Sequence, residues 1–207
     1  MPKRLRASVI DPGLLSRALA RPMRESSDFD LNPGLRLPTD RALRPAGVLI
    51  AVRSGPSGAD LILTKRSSRL KHHPGQIAFP GGKVEPGDGG PIGAALRESR
   101  EEVGLPQDRV TVLGTLPQHE TVTGFLVTPV LGIVSGEFTP LPEAGEVEEV
   151  FTVPLAHVTT LANFRVERRR WQDEWRRYYA VPYGPYYIWG ATARILRGLA
   201  DRLSSCG

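Results

Sequence analysis

Only one cysteine occurs in the 207 residues, Cys206 near the C-terminus, so neither a disulfide framework nor a cysteine-based zinc site is available. A reducing compartment, the cytoplasm, is the expected location. No uninterrupted apolar run reaches the roughly 20 residues that a helix needs to cross a bilayer. The basic opening MPKRLRASVI is not followed by the apolar stretch of a secretion signal, and no membrane partner is expected. The closing Ser204-Ser205-Cys206-Gly207 is no peroxisomal address. Internal repeats and low-complexity segments are absent as well. Acid is the scarcer charge, with 22 Asp+Glu against 27 Lys+Arg and a net charge of +5, which favours a polyanionic ligand. A hydrophobic content of 40% is enough for one compact domain with a real core.

Against these absences, residues 79–105 stand out. Gly81 and Gly82 precede a turn rich in Gly, Pro and Asp, and an acidic helix follows. At about 100° per residue, Ile92, Leu96, Ser99 and Val103 share one stripe while Glu98, Glu101 and Glu102 cluster opposite it. Glu98 and Glu102 form an i, i+4 like-charge pair, which costs an isolated helix roughly 0.2–0.5 kcal/mol. A hard divalent cation, Mg²⁺ or Mn²⁺, compensates such a pair and leaves coordination positions for substrate phosphates. The wheel alone also fits a solvated amphipathic helix. The paired glycines favour the metal reading, because a backbone without side chains can approach a ligand or lend it a carbonyl. Asp88 is the expected helix cap, with Pro91 in the first turn. Arg97 stands four residues before Glu101, where an ion pair is possible.

The stretch resembles the signature of the Nudix hydrolases: Gly, five residues, Glu, seven residues, then Arg-Glu-x-x-Glu-Glu-x-Gly. The tail matches from Arg97 to Gly104, with Ser99 where an aliphatic residue is usual. The front half is shifted, since counting from Gly82 brings Asp88 to the acidic position and leaves eight residues before Arg97. A second resemblance lies upstream, from Ile62 through Arg66, Ser67, Lys71 and Gly75 to Phe79-Pro80-Gly81-Gly82. It is similar to the motif of the coenzyme A pyrophosphatase branch, with Ile62 for Leu and Lys71 for Arg. Lysine cannot grip phosphate bidentately as arginine does. Read as residues alone, Arg66, Lys71, His72, His73 and Gln76 supply cations and donors just upstream of the acidic helix, suiting a phosphate-rich ligand, with a solvated loop as the alternative for the two histidines.

The resemblance implies an α/β fold, a Nudix-type α/β/α sandwich with a mixed sheet and the acidic helix after a Gly-rich loop. It further implies divalent-metal-dependent hydrolysis of the diphosphate linkage of coenzyme A, giving 4'-phosphopantetheine and adenosine 3',5'-bisphosphate. Glu98, Glu102 and Glu101 are the expected metal ligands, with the Gly82 carbonyl. Arg66, Lys71, His72, Gln76 and Phe79 are the expected substrate contacts. Glu146, in an acidic stretch over residues 138–149, resembles the branch's extra carboxylate and joins the three helix glutamates as a catalytic candidate. Glu143, Glu148 and Glu149 are its alternatives. Other nucleoside diphosphate derivatives, such as ADP-ribose, NADH or a capped RNA end, form a second substrate class.

The rest of the chain frames this centre. Residues 1–45 read as a helix over 11–21 and a Pro-punctuated connecting arm, and residues 46–207 as the domain proper. Strands are expected at 46–52, 61–65, 109–116, 125–134 and 150–153, with His119, Glu120 and Thr123 in a solvated loop. A helix over 187–203 closes the core. Residues 164–183 read as a hairpin turning at Gln172, Asp173 and Glu174, with six arginines among Trp171, Trp175, Tyr178 and Tyr179. That composition fits nucleotide gripping by charge and stacking. The preferred reading is instead a surface hairpin packed on the sheet or on a second subunit, so a homodimer is possible and nucleic acid is not the expected partner. A non-catalytic RNA-binding module is the remaining alternative, and the full glutamate set argues against it.

Overall fold

Alternation of side chains along three apolar strands sorts the molecule into layers. The computed structural model describes residues 10–22, 24–34, 41–55, 58–171 and 174–206. In chain order the elements are α1 (Pro12–Ala20), β1 (Ser26–Ser27), β2 (Arg44–Gly55), β3 (Gly58–Arg66), β4 (Ile77–Ala78), β5 (Gly81–Lys83), α2 (Pro91–Val103), β6 (Val110–Thr115), β7 (His119–Glu120), β8 (Phe125–Val134), β9 (Val147–Pro154), α3 (Leu155–Thr159), β10 (Arg165–Trp171), β11 (Glu174–Ala180) and α4 (Ala191–Ser204). Leu49, Ala51, Ile62, Val130 and Val134 point to one side of the sheet and pack with Ala95, Val103 and Leu105 on and just after α2. Ile50, Val52, Leu61, Leu63 and Leu131 point to the other and pack with Leu15 of α1, Val158 of α3 and Leu196 and Leu199 of α4. The period of two thus builds the expected α/β/α sandwich. Among the described residues no helix is long and apolar enough to cross a membrane.

The sheet is mixed. β2 runs parallel to β8 from Arg44/Phe125 to Arg53/Val134, and β3 pairs antiparallel with β9. β6 and β7 add antiparallel to β8, and β1 adds parallel to β7. The opening that positions the site lies between β2 and β3. These strands pair from Val52/Leu61 to Gly55/Gly58, and then diverge. Beyond the fork, Ala46–Val48 of β2 pair with β5, while Thr64 and Lys65 of β3 pair with β4. The segment from Ile77 to Lys83 therefore fills the mouth of the fork. The expected hairpin is present, with Pro56 and Ser57 of its turn outside the described residues.

Four expectations change. α2 buries Ala94, Ala95, Ser99, Glu102 and Val103, while Ile92 is exposed. The reason is close approach: a Cβ at Gly47 would collide with the Pro91 carbonyl, so only small side chains fit where α2 meets β2. Ser99 satisfies its buried hydroxyl by donating to the Ala95 carbonyl at 2.6 Å. Asp88 is not the cap of α2, because Gly90 occupies the N-cap without a side-chain hydrogen bond. At the other end Gly104 takes the left-handed conformation, φ 72°, and the Leu105 N–H returns to the Ser99 carbonyl. His119 is 0% exposed and lies in β7, not in a solvated loop. The last helix begins at Ala191, because Gly190 at φ 64° breaks the chain direction after an irregular turn carrying Ile188.

The arm docks through polar clasps. Buried His119 meets Ser26 Oγ at Nδ1 (3.0 Å) and Asp28 Oδ1 at Nε2 (3.2 Å), and Asp28 Oδ2 accepts the Val122 N–H. Asn32 exchanges two hydrogen bonds with the backbone of Arg177, and Arg194 of α4 donates to Asp30. α1 is capped by Asp11, which accepts from the Leu14 N–H, and its Leu15 enters the main core.

Candidate functional site

Two glycines let a helix carboxylate reach the strand that fills the fork. A Cβ at Gly82 would collide with the carboxylate of Glu98, and one at Gly81, φ 154°, would collide with the backbone of Gly47 and Val48. Gly81 must therefore lack a side chain, and a side chain at Gly82 would displace the Glu98 carboxylate from its present place. The Gly81 N–H donates to Glu102 Oε2 at 3.0 Å. Glu102 is 5% exposed, so the acid face expected to be polar and solvated in fact turns this carboxylate into the protein. Burial pushes its pKa up to about 7; the neighbouring Glu98 and Glu146 charges push the same way, against the Gly81 N–H and Arg66. Glu98, half-buried, is also raised, first by burial and then by Glu101 and Glu146, while Arg97 opposes.

Glu101 points elsewhere. Its side chain is 54% exposed and accepts from Arg97 Nη1 at 2.9 Å. Arg97 is the hub of this corner. It grips Asp88 bidentately, at 2.8 Å from Nε and 3.2 Å from Nη2, and reaches Glu98 Oε1 at 3.0 Å and the Lys83 carbonyl at 3.1 Å. Asp88 in turn accepts the Glu85 N–H at 2.7 Å, and the Arg97 guanidinium holds its carboxyl below the usual range. The displaced Asp88 thus ties the glycine turn to the helix. Sequence reasoning missed this link, because a nine-residue separation across a turn follows no helical or strand period.

Glu146 arrives from the far side of the fork. The acidic loop is laced to the end of α2, with the Glu143 N–H donating to the Glu102 carbonyl and the Leu141 N–H to the Val103 carbonyl. The Glu146 side chain is exposed, its backbone carbonyl accepts the Ser67 N–H at 2.8 Å, and its charge is felt by both Glu98 and Glu102. Of the alternatives, Glu143 is turned back onto the N–H groups of Gly145 and Glu146, Glu148 pairs with Lys65 at 2.6 Å, and Glu149 accepts from Tyr186 at 2.6 Å. Those three carboxylates are engaged elsewhere.

The upstream residues divide. Arg66, at the end of β3, lowers the pKa of Glu102 by its charge, and its N–H donates to the Gln76 carbonyl at 3.0 Å. Gln76 is half-buried beside the Gly190 turn. Lys71 and His72 are exposed on the loop between β3 and β4. Phe79 is 4% exposed and packs in the core, so it holds the Gly-rich loop in place and offers no ring face to a ligand.

No three His, Cys, Asp or Glu side chains among the described residues already form a closed metal cage. The donor set nevertheless fits a hard cation. Two adjacent carboxylates, Glu98 and Glu102, repel each other beside a third, all supply oxygen, and the buried one is driven toward its neutral form, first by burial and then by its acidic neighbours.

Residues 43–174 match the family model described as the NUDIX domain. The chain is 41% identical over 157 residues to a protein of Escherichia coli K12 described as uncharacterized Nudix hydrolase NudL, an alignment covering 76% of this chain and 81% of that one. A protein of the same description from Enterobacter sp. strain 638 is 44% identical over 160 residues, with the same coverage. Among solved structures, the Nudix hydrolase RenU of M. smegmatis superposes with a TM-score of 0.47 at 25% identity, over 56% of this chain and 73% of that one.

Proposed function

The chain belongs to the Nudix family, hydrolases of pyrophosphate bonds in nucleoside diphosphate derivatives, and from that premise we propose that its substrate is coenzyme A. The observation carrying this reading is the stretch from Ile62 to Gly82, which resembles the coenzyme A branch motif and delivers Arg66 to the electrostatic neighbourhood of Glu102. In the proposed reaction water attacks one phosphorus of the diphosphate and the P–O–P bridge breaks, releasing 4'-phosphopantetheine and adenosine 3',5'-bisphosphate.

Glu98 and Glu102 would hold a Mg²⁺ or Mn²⁺ ion, with the Gly82 carbonyl as a backbone donor. A bound ion supplies Lewis-acid neutralisation of phosphoryl oxygens and lowers the pKa of water. The remaining work falls to the chain. Arg66 offers a forked donor to the diphosphate and Lys71 a point charge to the 3'-phosphate. Gln76 and His72, on the same loop, are the further donors proposed for the substrate. Glu146, exposed and not engaged by the contacts that occupy Glu143, Glu148 and Glu149, is proposed as the general base taking the proton from the attacking water. Glu101, facing solvent on Arg97, joins the ligands only by leaving that pair, so its role is assigned to holding Arg97.

The test is a panel of coenzyme A, ADP-ribose, NADH and dinucleoside polyphosphates incubated with pure protein and Mg²⁺ or Mn²⁺, with products separated by chromatography. Turnover of coenzyme A to the two stated products is expected. Coenzyme A left intact while another member is cleaved refutes the substrate.

A further inference from the structure

The ribbon of β10 and β11 has two faces with different fates. Register places Glu167 opposite Tyr178 and Arg169 opposite Arg176 on one face. That face is partly covered: Tyr178 meets the edge of Trp189 at 5.1 Å, Arg176 lies 5.9 Å from the Phe29 ring, and Arg169, itself exposed, lies 5.1 Å from the Trp189 ring. A hairpin packed on the sheet or on a second subunit is the expectation from sequence; its contacts on this face are instead with the turn carrying Trp189 and with Phe29 of the arm. The other face pairs Val166 with Tyr179, Arg168 with Arg177 and Arg170 with Trp175. Its Tyr179 end packs on the main core beside Arg194 and Arg197 of α4, while toward the turn Arg168 and Arg177 are exposed and Val166 and Trp175 are 53% and 61% exposed.

Directly opposed like charges destabilise an antiparallel ladder. Among the described residues no carboxylate pairs with Arg168 or Arg177 to relieve this. Arg168 lies over Trp175, 4.9 Å from the ring centroid. Beside the same indole is an open cavity of about 330 Å³ lined by Asn32, Gly34, Glu174 and Trp175. None of Glu98, Glu102 and Glu146 lines it.

We propose that this face binds single-stranded nucleic acid, with phosphates on Arg168 and Arg177 and a base stacked on Trp175 in the adjoining cavity. Guanidinium forks suit phosphate oxygens, and an exposed indole flanked by cations is a sequence-tolerant stacking platform. A second copy of the chain is a poorer occupant, since a two-fold contact sets this cationic face against itself. An anionic bilayer is poorer too, because among the described residues the large exposed apolar groups of this ribbon are Val166 and Trp175.

The test is fluorescence anisotropy with a short fluorescein-labelled oligoadenylate RNA, titrated at several salt concentrations without any turnover assay. Wild-type protein should bind, more weakly as salt rises. The double variant Arg168→Gln/Arg177→Gln should reduce the slope of log K against log salt by about 2. Trp175→Ala should weaken binding by about fivefold or more, and less for duplex RNA of equal length. Thermal melting checks that each variant is folded; should the arginine variant unfold, Trp175→Ala at its exposed position decides alone. Absent binding by wild type, unchanged curves for the variants, or tighter binding to phosphatidylserine vesicles or duplex RNA overturns the proposal.

Discussion

Replacing Glu102 by Gln separates the cost of the site from its use. The carboxyl ionises near pH 7 in the folded protein against an ordinary value of 4.5, chiefly because it is buried. A raised pKa in the folded state means that its contribution to stability is fully present below about pH 4.5 and is lost as pH rises through about 7. At about 1.4 kcal/mol per pH unit, that difference costs the metal-free protein about 3 kcal/mol at pH 8. Gln keeps the acceptor for the Gly81 N–H and removes the charge. For a chain of this length, about 3 kcal/mol corresponds to roughly 6–12 °C in Tm. Glu102→Gln should therefore melt that much higher than wild type at pH 8 in EDTA, with the two converging below pH 5. Adding Mg²⁺ should raise the wild-type Tm and leave the variant unmoved, and the variant should lose most metal-dependent turnover. A variant that melts no higher at pH 8 in EDTA refutes the burial argument, and full activity refutes Glu102 as a ligand.

Gly82→Ala forces a methyl group into the Glu98 carboxylate and should lower turnover about tenfold or more; a steady-state rate within twofold of wild type counts against that contact. Asp88→Asn removes the charge from the clamp on Arg97 and should lower Tm at neutral pH. Because the Asp88 carboxyl is held below its usual range, its stabilisation is present above that range and lost as pH falls through it, so the Tm difference should shrink in acid; a gap that is constant with pH contradicts the pairing. Lys71→Ala should raise KM about fivefold more for coenzyme A than for its 3'-dephospho form, about the effect of one exposed charge contact. Equal effects remove Lys71 from 3'-phosphate recognition.

The glycine pair, the acidic helix and the strands at 46–52, 61–65 and 125–134 were legible because each is a local pattern: a period, a spacing or a β-branched run. The α2 wheel was right in its period and shifted in its phase: Leu96, Ser99 and Val103 pack as expected, while Ile92 is exposed and Glu102 is drawn in. Helical periodicity says which residues share a face but not which face meets the sheet. That choice was made by Gly47, whose missing side chain draws α2 in through Ala94 and Ala95 and carries Glu102 inward with them. His119 escaped for a similar reason. A polar residue between strands reads as solvated until a partner appears, and its partners Ser26 and Asp28 come from an arm more than 90 residues away.

Residue types and spacing alone therefore offered a set of groups, oxygen donors suited to a hard cation and cations suited to phosphate, and the family resemblance of that set implied the layered α/β fold that the structure shows. Tertiary structure decided which of those groups meet. Glu98, Glu102, Glu146 and Arg66 act on one another because β2 and β3 diverge and the loop from Ile77 to Lys83 fills the gap, while Glu101 and Asp88 are drawn off to Arg97. The physical reason is that charge interactions depend on distance and burial, which are set by packing between segments distant in sequence.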